Sequence, residues 1–224
     1  MRRLAFSALA ASLLTGGVVA LQAMEPPALP GAVEPSRVTA GSYTADAAHT
    51  LVGWRINHFG FNDYFGIFGD VEGTLEIDPA DLTTAKVDVT IPIAAVSVAS
   101  EGLKEHLFKP GKDGAAPDFF GPEPAPAHFV STSVEPTGPT SAIVTGDLTM
   151  LGETKPVVLQ VEFTGAGTNI MSGAETVGFE AQASLNRSDF GLSGFIPLVG
   201  DGVELQITAA FEKATPEAEA AAEE

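Results

Sequence analysis

The sequence predicts an all-β protein in which one apolar face of every strand is buried, as in a closed barrel or a sandwich. Eight segments alternate apolar and polar residues with the period of two that strands with one buried face show. Turn-forming residues such as Asp78-Pro79 and Gly200-Asp201-Gly202 separate most of these segments. Only Ser100 to Lys109 has the spacing of a helix. Periodicity leaves the choice between barrel and sandwich open.

The predicted strands follow one another between residues 52 and 211. They are residues 52–58, 71–77, 85–91, 127–134, 144–150, 157–163, 179–185 and 203–211. We interpret the Gly- and Phe-rich stretch between the first two as a turn. In the first strand, Val52, Trp54, Ile56 and His58 share one side, which we predict to face inward.

The single predicted helix is short. Ser100 is a plausible N-cap, Leu103 and Leu107 lie near one helical face, and Lys109-Pro110-Gly111 ends the helix. A long loop follows, with Phe119-Phe120 at its centre. We interpret these two side chains as a plug or a gate at one end of the structure.

The chain divides into four parts by composition. Residues 1–23 have the basic start and apolar run of a secretory signal peptide, so we expect a periplasmic location. Residues 24–40 are Pro-rich and predict a flexible or extended linker. Residues 41–213 form the globular domain, and residues 214–224 an acidic, disordered tail. The chain has no cysteine, so disulfides and thiolate chemistry are excluded.

The charge balance is strongly acidic. The 224 residues carry a formal net charge of −18 at pH 7. Such a surface repels nucleic acid and anionic membranes, so neither is an expected partner.

A series of short motifs extends in order from about Tyr43 to Lys213. They are Tyr43-x-x-Asp46, His49-Thr50, Asn57-His58-Phe59-Gly60, Gly66-x-Phe68, Glu105-His106-Leu107, Asp118-Phe119-Phe120, Gly146-Asp147-Leu148-Thr149 and Asn186-Arg187-Ser188-Asp189-Phe190-Gly191. The ordered set resembles the YceI-like family of periplasmic polyisoprenoid-binding proteins. The resemblance implies an eight-stranded antiparallel, lipocalin-like β-barrel with one short helix near one end.

The resemblance also implies that the inward apolar side chains bind lipid. The predicted lipid-binding residues are Val52, Trp54, Ile56, His58, Phe68, Leu75, Leu107, Phe119, Phe120, Phe129, Leu148, Phe163, Phe179 and Leu185. Small inward residues favour a hollow barrel, whereas large aromatic ones favour a filled core, so both alternatives stay open. The small residues are Gly73, Ala85, Gly146, Ala181, Ala183 and Ala209.

A local excess of lysine supplies candidates for the lipid head group. Lys104, Lys109 and Lys112 lie within nine positions, and such a cluster can meet a phosphate or a diphosphate. The alternative is a solvated face, because acidic residues are interspersed. His58 is either a head-group contact or a satisfied core histidine. The histidines lack metal-ligand spacing, so no metal site is predicted.

The expected function is therefore binding. The protein would sequester or transport a long-chain polyisoprenoid, either a prenyl quinone or a polyprenyl phosphate, with no cofactor other than this ligand. The alternative is a structural or stress-response barrel with a filled core. No Gly-x-Ser-x-Gly elbow or phosphate-binding glycine loop is present, so we expect no enzymatic activity. The resemblance implies a membrane b-type cytochrome as a partner, and a monomer and a homodimer are both compatible with the sequence.

Overall fold

The computed structural model describes residues 28–214. The predicted signal peptide and residues 215–224 of the predicted tail lie outside the described residues. Ala214, the first residue of that tail, donates a backbone hydrogen bond to the Ser42 carbonyl at 3.0 Å.

Residues 28–214 contain eleven strands and one α-helix. The strands are β1 (Gly41–Ala45), β2 (Leu51–His58), β3 (Asn62–Phe68), β4 (Glu72–Ile77), β5 (Lys86–Ile91), β6 (Val96–Ser97), β7 (Ala127–Pro136), β8 (Ser141–Met150), β9 (Glu153–Thr168), β10 (Glu175–Asn186) and β11 (Val199–Lys213). The helix α1 spans Glu101–Leu107, and the Ser100 hydroxyl caps it by accepting from the Leu103 backbone N–H at 3.2 Å. The prediction of one short helix in this region is confirmed.

The eleven strands make a closed antiparallel barrel of eight positions, because six of them are halves of bent strands. The pairs β1/β2, β3/β4 and β5/β6 each occupy one position: β2 pairs with β3 and β1 with β4, while β4 pairs with β5 and β3 with β6. The strands β7 to β11 then follow in order, and β11 pairs with both β1 and β2. The predicted eight-stranded, lipocalin-like barrel is confirmed, and each predicted strand falls in a different position of it.

Two of the sequence motifs, Tyr43-x-x-Asp46 and His49-Thr50, build the first bend. Between β1 and β2 the chain leaves the ladder, and the Thr50 hydroxyl accepts from the Ala210 backbone N–H at 3.2 Å. The same hydroxyl donates to the Ala210 carbonyl oxygen at 3.1 Å, beside the Asp46 backbone N–H. Asp46 starts the turn by accepting from the Ala48 backbone N–H at 3.1 Å. Thr50 is only 3% exposed, so its hydroxyl must have these partners to be buried at low cost.

The interpretation of residues 59–70 as a turn is wrong for most of that stretch. Phe59 and Gly60 adopt left-handed backbone angles, with φ of 56° and 73°, and reverse the chain within three residues. The strand β3 follows and pairs with β2 along its whole length. Period-two alternation failed to reveal β3 because its outward residues Phe65 and Ile67 are apolar as well.

The described part of the predicted linker, residues 28–40, pairs with the barrel. Ala32 and Ala166 exchange backbone hydrogen bonds at 2.9 and 3.1 Å, so the chain pairs with the end of β9. Gly167 makes this approach feasible, since a Cβ there would lie 2.1 Å from the Pro30 carbonyl oxygen. A short 3-10 turn, Pro35–Arg37, then leads across the end of the barrel to β1.

The barrel therefore has two distinct ends. One, the helix end, carries α1, the β2–β3 turn and the loop between β10 and β11. The other, the N-terminal end, is crossed by residues 30–40. Buried side chains form one apolar cluster around Phe129 and Phe190 and a second around Tyr43 and Phe211.

Candidate functional site

The barrel encloses a cavity of about 730 Å³. Residues from both ends line it, so it extends along the barrel axis. The polar side chains of its lining lie near the ends: Thr50, Thr140 and Ser141 at the N-terminal end, and His58, Ser100, His106 and Arg187 at the helix end. Between these two polar groups, and apart from Trp54 and Tyr64, the wall consists of aliphatic side chains and phenyl rings. Such a wall can bury an apolar ligand but cannot hydrogen-bond to it.

All fourteen predicted lipid-binding residues line this cavity. They come from six of the eight barrel positions, from α1 and from the loop that follows α1. Contact with lipid stays a prediction for each of them. Alternation identified the ten that lie in predicted strands, because inward-facing positions of a barrel recur at every second residue of a strand. The other four, Phe68, Leu107, Phe119 and Phe120, lie in motifs that resemble those of the family.

The small inward residues contribute less space than the sequence implied. Ala85, Ala181 and Ala209 line the cavity. Gly146 does not, because the Phe129 ring covers it: a Cβ at Gly146 would lie 2.4 Å from Phe129 Cζ. The backbone of β5 fills the corresponding space at Gly73, where a Cβ would lie 2.1 Å from the Asp88 carbonyl oxygen.

Sequence reasoning missed Tyr64, which lies beside Trp54 on the inner wall. The two rings stack with centroids 6.4 Å apart, and both line the cavity. Trp54 fits closely over Gly66, where a Cβ would lie 2.1 Å from Trp54 Cζ2. The Trp54 Nε1 and the Tyr64 hydroxyl are buried without a hydrogen-bond partner. Both polar groups are therefore unsatisfied within the apolar wall, which lowers the free energy of unfolding.

Aromatic side chains narrow the helix end. Phe119 packs edge-on against His106, with ring centroids 5.2 Å apart, and lies 6.1 Å from Phe195. Phe120 packs against Phe68 at 6.0 Å. The loop that carries Phe119 and Phe120 is held to α1 because His106 Nε2 lies 2.9 Å from an Asp118 carboxylate oxygen. The two phenylalanines therefore form part of the cavity wall where it approaches the surface.

Arg187 organises the loop between β10 and β11. It is 4% exposed, and its guanidinium donates to four carbonyl oxygens, those of Leu192, Gly194, Val199 and Gly200. Arg187 and Asp189 are close in the sequence and of opposite charge, but no hydrogen bond or ion pair joins them among the described residues. The Asp201 carboxylate accepts hydrogen bonds from the backbone N–H and the hydroxyl of Ser188. Burial lowers the pKa of Arg187, and the nearby Asp201 carboxylate partly offsets this shift.

The three head-group candidates lie outside the cavity that the predicted lipid-binding residues line. Lys104, Lys109 and Lys112 are exposed, and none of them lines the cavity. The same part of the chain contributes Ser100, Leu103 and His106 to the wall instead. Lys104 lies on α1 but away from the face that Leu103 and Leu107 turn toward the barrel, and Lys109 and Lys112 follow the end of the helix. Their head-group role stays a prediction.

A partly buried hydrogen-bond cluster fastens the N-terminal end. The fully buried Tyr43 donates from its hydroxyl to a Glu175 carboxylate oxygen at 2.5 Å, and the Thr39 backbone N–H donates to the same carboxylate at 2.8 Å. Burial, reinforced by the Glu175 carboxylate, raises the pKa of Tyr43 to about 12. Burial alone would raise the pKa of Glu175, but the hydrogen bonds from Tyr43 and Thr39 outweigh it, and the pKa is lowered. Pro35 and Val38 line the cavity beside this cluster.

Between residues 28 and 214, no group of three or more His, Asp or Glu side chains is arranged to hold a metal ion. In the same range, α1 and the 3-10 turns are too short to span a membrane as helices.

Comparison with known proteins places the chain in a family. The model of the YceI-like domain matches residues 43–211. A UPF0312 protein of Pseudomonas fluorescens SBW25 is 37% identical over 161 residues, which cover 70% of this chain and 80% of the relative. The chain belongs to the YceI-like family.

Solved structures share the barrel. The YCEI protein of Campylobacter jejuni superimposes with a TM-score of 0.58 at 27% identity, covering 71% of this chain and 90% of that protein. A protein of Saccharophagus degradans described as a polyisoprenoid-binding domain superimposes with a TM-score of 0.50 at 12% identity, covering 77% of this chain and 98% of that one. The second likeness concerns the fold alone.

Proposed function

We propose that this protein binds a long-chain isoprenoid lipid inside its barrel, and thereby sequesters the lipid or carries it through the periplasm. The observation that supports the proposal is the apolar cavity of about 730 Å³, which is the wrong environment for a polar solute and a suitable one for a hydrocarbon chain. The same cavity argues against the alternative of a filled core. The description of the Saccharophagus degradans domain as polyisoprenoid-binding is consistent with this ligand class.

The cavity volume limits how much of the lipid is enclosed. If each carbon takes about the 30 Å³ that a water molecule takes in the liquid, 730 Å³ holds roughly 24 carbons, or about five isoprene units. Burial would contribute roughly 0.8 kcal/mol per CH₂ before the cost of ordering the chain. A longer lipid would extend through one end, and its head group would remain outside the hydrocarbon wall.

We place the head group at the helix end. His58, His106 and Arg187 line the cavity there, and these side chains can donate hydrogen bonds to the oxygens of a quinone or of a phosphate. The N-terminal end is crossed by residues 30–40, so a head group there would meet backbone. The mass of the bound lipid would show whether its head group is a quinone or a phosphate.

The first test is mass spectrometry of an organic extract of the protein, purified without detergent from a periplasmic fraction. A prenyl lipid at one mole per mole of protein is the expected result, and its mass identifies the head group. An extract that stays empty after incubation with quinone-containing membranes would contradict the proposal. Recovery of the protein in the cytoplasmic fraction would contradict the periplasmic location.

A second test uses Trp54, the single tryptophan of the chain, which lines the cavity. Titration with the four-unit prenyl alcohol geranylgeraniol should change its fluorescence emission, because the ligand alters the polarity around the indole. The variant Trp54→Phe is the matched control and should give no signal. A wild-type emission spectrum that does not change when the alcohol is added, together with unchanged thermal stability, would contradict binding in the cavity.

The b-type cytochrome partner is proposed on the family resemblance and can be tested by co-purification from membranes.

A further inference from the structure

The surface of the helix end carries an unusual group of exposed apolar side chains. We define the apolar rim as Phe59, Phe61, Phe65, Phe195, Ile196 and Leu198, each between 38% and 88% exposed. Half of the twelve large apolar residues that are exposed between residues 28 and 214 belong to it. Contiguous apolar surface of this kind marks an interaction site.

The rim is continuous. Its two segments, the β2–β3 hairpin and the loop before β11, are joined by a hydrogen bond from the Phe59 backbone N–H to the Leu198 carbonyl oxygen at 2.6 Å. Val199 and His58 then pair in the sheet. The side chains of both segments therefore form one surface rather than scattered exposed residues.

The rim is also the outer edge of the cavity. Phe59 and Phe195 are both about 45% exposed to solvent and both line the cavity. An apolar path therefore leads from the outer surface into the barrel at this end. Both phenylalanines adopt left-handed backbone angles, with φ of 56° and 62°, which glycine would adopt at a lower cost. Aromatic side chains are held at the opening in spite of that strain.

The rim lacks the negative charge of the remainder of the protein. Residues 192–200 contain no ionisable side chain, in a chain with a formal net charge of −18. In the hairpin the only carboxylate is that of Asp63, and Arg55 pairs with it. The hydrogen bond from Asn57 and the contacts with Arg55 lower the pKa of Asp63, so the carboxylate is ionised at neutral pH and the Arg55 guanidinium balances its charge. Glu204 is a second carboxylate that Arg55 contacts, at 3.4 Å. A surface with so few charges can enter the interface of a bilayer at a lower cost of desolvating ions than the acidic remainder of the protein.

We propose that the apolar rim docks the helix end of the barrel on the surface of an electrically neutral phospholipid bilayer, with the cavity opening toward the membrane. This inference rests on the proposed function, because a ligand dissolved in a bilayer must enter the cavity from that bilayer. It assigns the entry route to the helix end, between Phe59 and Phe195. It also assigns a neutral lipid surface as the partner, since the acidic remainder of the protein repels an anionic one.

The test is flotation of the natively processed protein with vesicles of phosphatidylcholine, with and without phosphatidylglycerol. The variant Phe61→Ser/Phe65→Ser/Leu198→Ser removes rim residues that are 88%, 64% and 53% exposed and do not line the cavity. The matched control is Met171→Ser/Ile170→Ser/Val158→Ser, at positions 89%, 80% and 52% exposed and away from the rim. All six changes shorten exposed side chains, so the two variants should fold equally well.

We expect the wild type and the control to float with phosphatidylcholine vesicles, and the rim variant to partition at least about tenfold less, since binding scales with the apolar area that enters the interface. Phosphatidylglycerol should weaken binding at low salt. Equal flotation of the rim variant, loss in the control, or a requirement for phosphatidylglycerol would overturn the proposal. So would a wild-type dimer that the rim variant converts to monomers in light scattering, because the rim would then be covered by a second copy.

Geranylgeraniol titration of Trp54 separates this inference from the proposed function. The rim variant should bind the alcohol as the wild type does, since its cavity wall is intact, while extracting prenyl lipid from vesicles more slowly. If the wild type fails to bind the alcohol yet floats through its rim, the proposed function fails and the docking surface stands. If it binds the alcohol and does not float, docking fails and the proposed function stands.

Discussion

Narrowing the cavity at Ala181 should shorten the longest isoprenoid that the barrel accepts. Ala181 lines the cavity in the middle of β10, where its cross-strand neighbours are Val161 and Ile207. The substitution Ala181→Phe adds six ring carbons, about the size of one five-carbon isoprene unit. The capacity of the cavity should fall from about five units to about four.

The expected loss of affinity follows from the carbons that are displaced. Five carbons at roughly 0.8 kcal/mol each give at most about 4 kcal/mol, or nearly a thousandfold in the dissociation constant, for an alcohol of five units. A three-unit alcohol still fits, so its affinity should change by less than about threefold. The protein should remain about as stable as the wild type, because the new ring enters existing space and does not overpack a filled core.

The assay is titration of Trp54 fluorescence with prenyl alcohols of three and five units, with thermal unfolding as the check on folding. Gln182→Phe is the matched control, since it places the same ring on the outer face of the same strand. If Ala181→Phe affects both alcohols equally, or neither, or if Gln182→Phe has the same effect, the lipid does not occupy this cavity in the way we propose.

Three further predictions concern the supports of the site. Arg187→Met should destabilise the protein by roughly 3–5 kcal/mol, and lower its melting temperature by about 10 °C in circular dichroism, because four carbonyl oxygens lose a buried donor; a loss below about 1 kcal/mol would show that these contacts are dispensable. Gly66→Ala should displace the Trp54 ring and shift its emission without ligand, since the new Cβ would lie 2.1 Å from Cζ2, and an unaltered spectrum would disprove the packing. The lowered pKa of Glu175 predicts a contribution to the free energy of unfolding that is present above pH 4.5 and lost as the pH falls below it. The raised pKa of Tyr43 predicts a second contribution, which is complete below pH 10 and lost as the pH rises toward 12. Denaturant unfolding across these pH ranges should therefore show an acid-side loss that is smaller in Glu175→Gln, and an equal loss in both proteins would be inconsistent with the cluster.

The strands and the residues on their inner faces could be predicted because both depend on the local pattern of apolar and polar residues. A strand buried on one face needs an apolar side chain at every second residue, so Val52, Trp54 and Ile56 identify both a strand and its inner face. The same rule failed for β3, whose outward Phe65 and Ile67 are apolar. That exception is informative, because the residues that hid the strand belong to the apolar rim or lie beside it.

The polar contacts of the site depended on distances that sequence does not give. Arg187 had an obvious partner two residues away in Asp189, yet it binds carbonyls from residues 192 to 200. Lys104 lies next to Leu103 in sequence, but only Leu103 reaches the cavity. In both cases the direction of a side chain, set by how a loop or a helix packs on the barrel, decided which neighbours it meets.

By itself the residue pattern determined eight strands with one apolar face each and one short helix, because alternation and turn residues act over a few positions. The choice of a barrel over a sandwich came from the resemblance to the YceI-like family. Only the tertiary structure decided that the barrel is hollow. The volume left inside depends on how side chains from opposite strands fill it, and Gly146 shows that a small residue leaves no space when Phe129 covers it. The tertiary structure also decided that residues 30–40 cross one end while an apolar rim surrounds the other, since each feature joins segments that are distant in the chain.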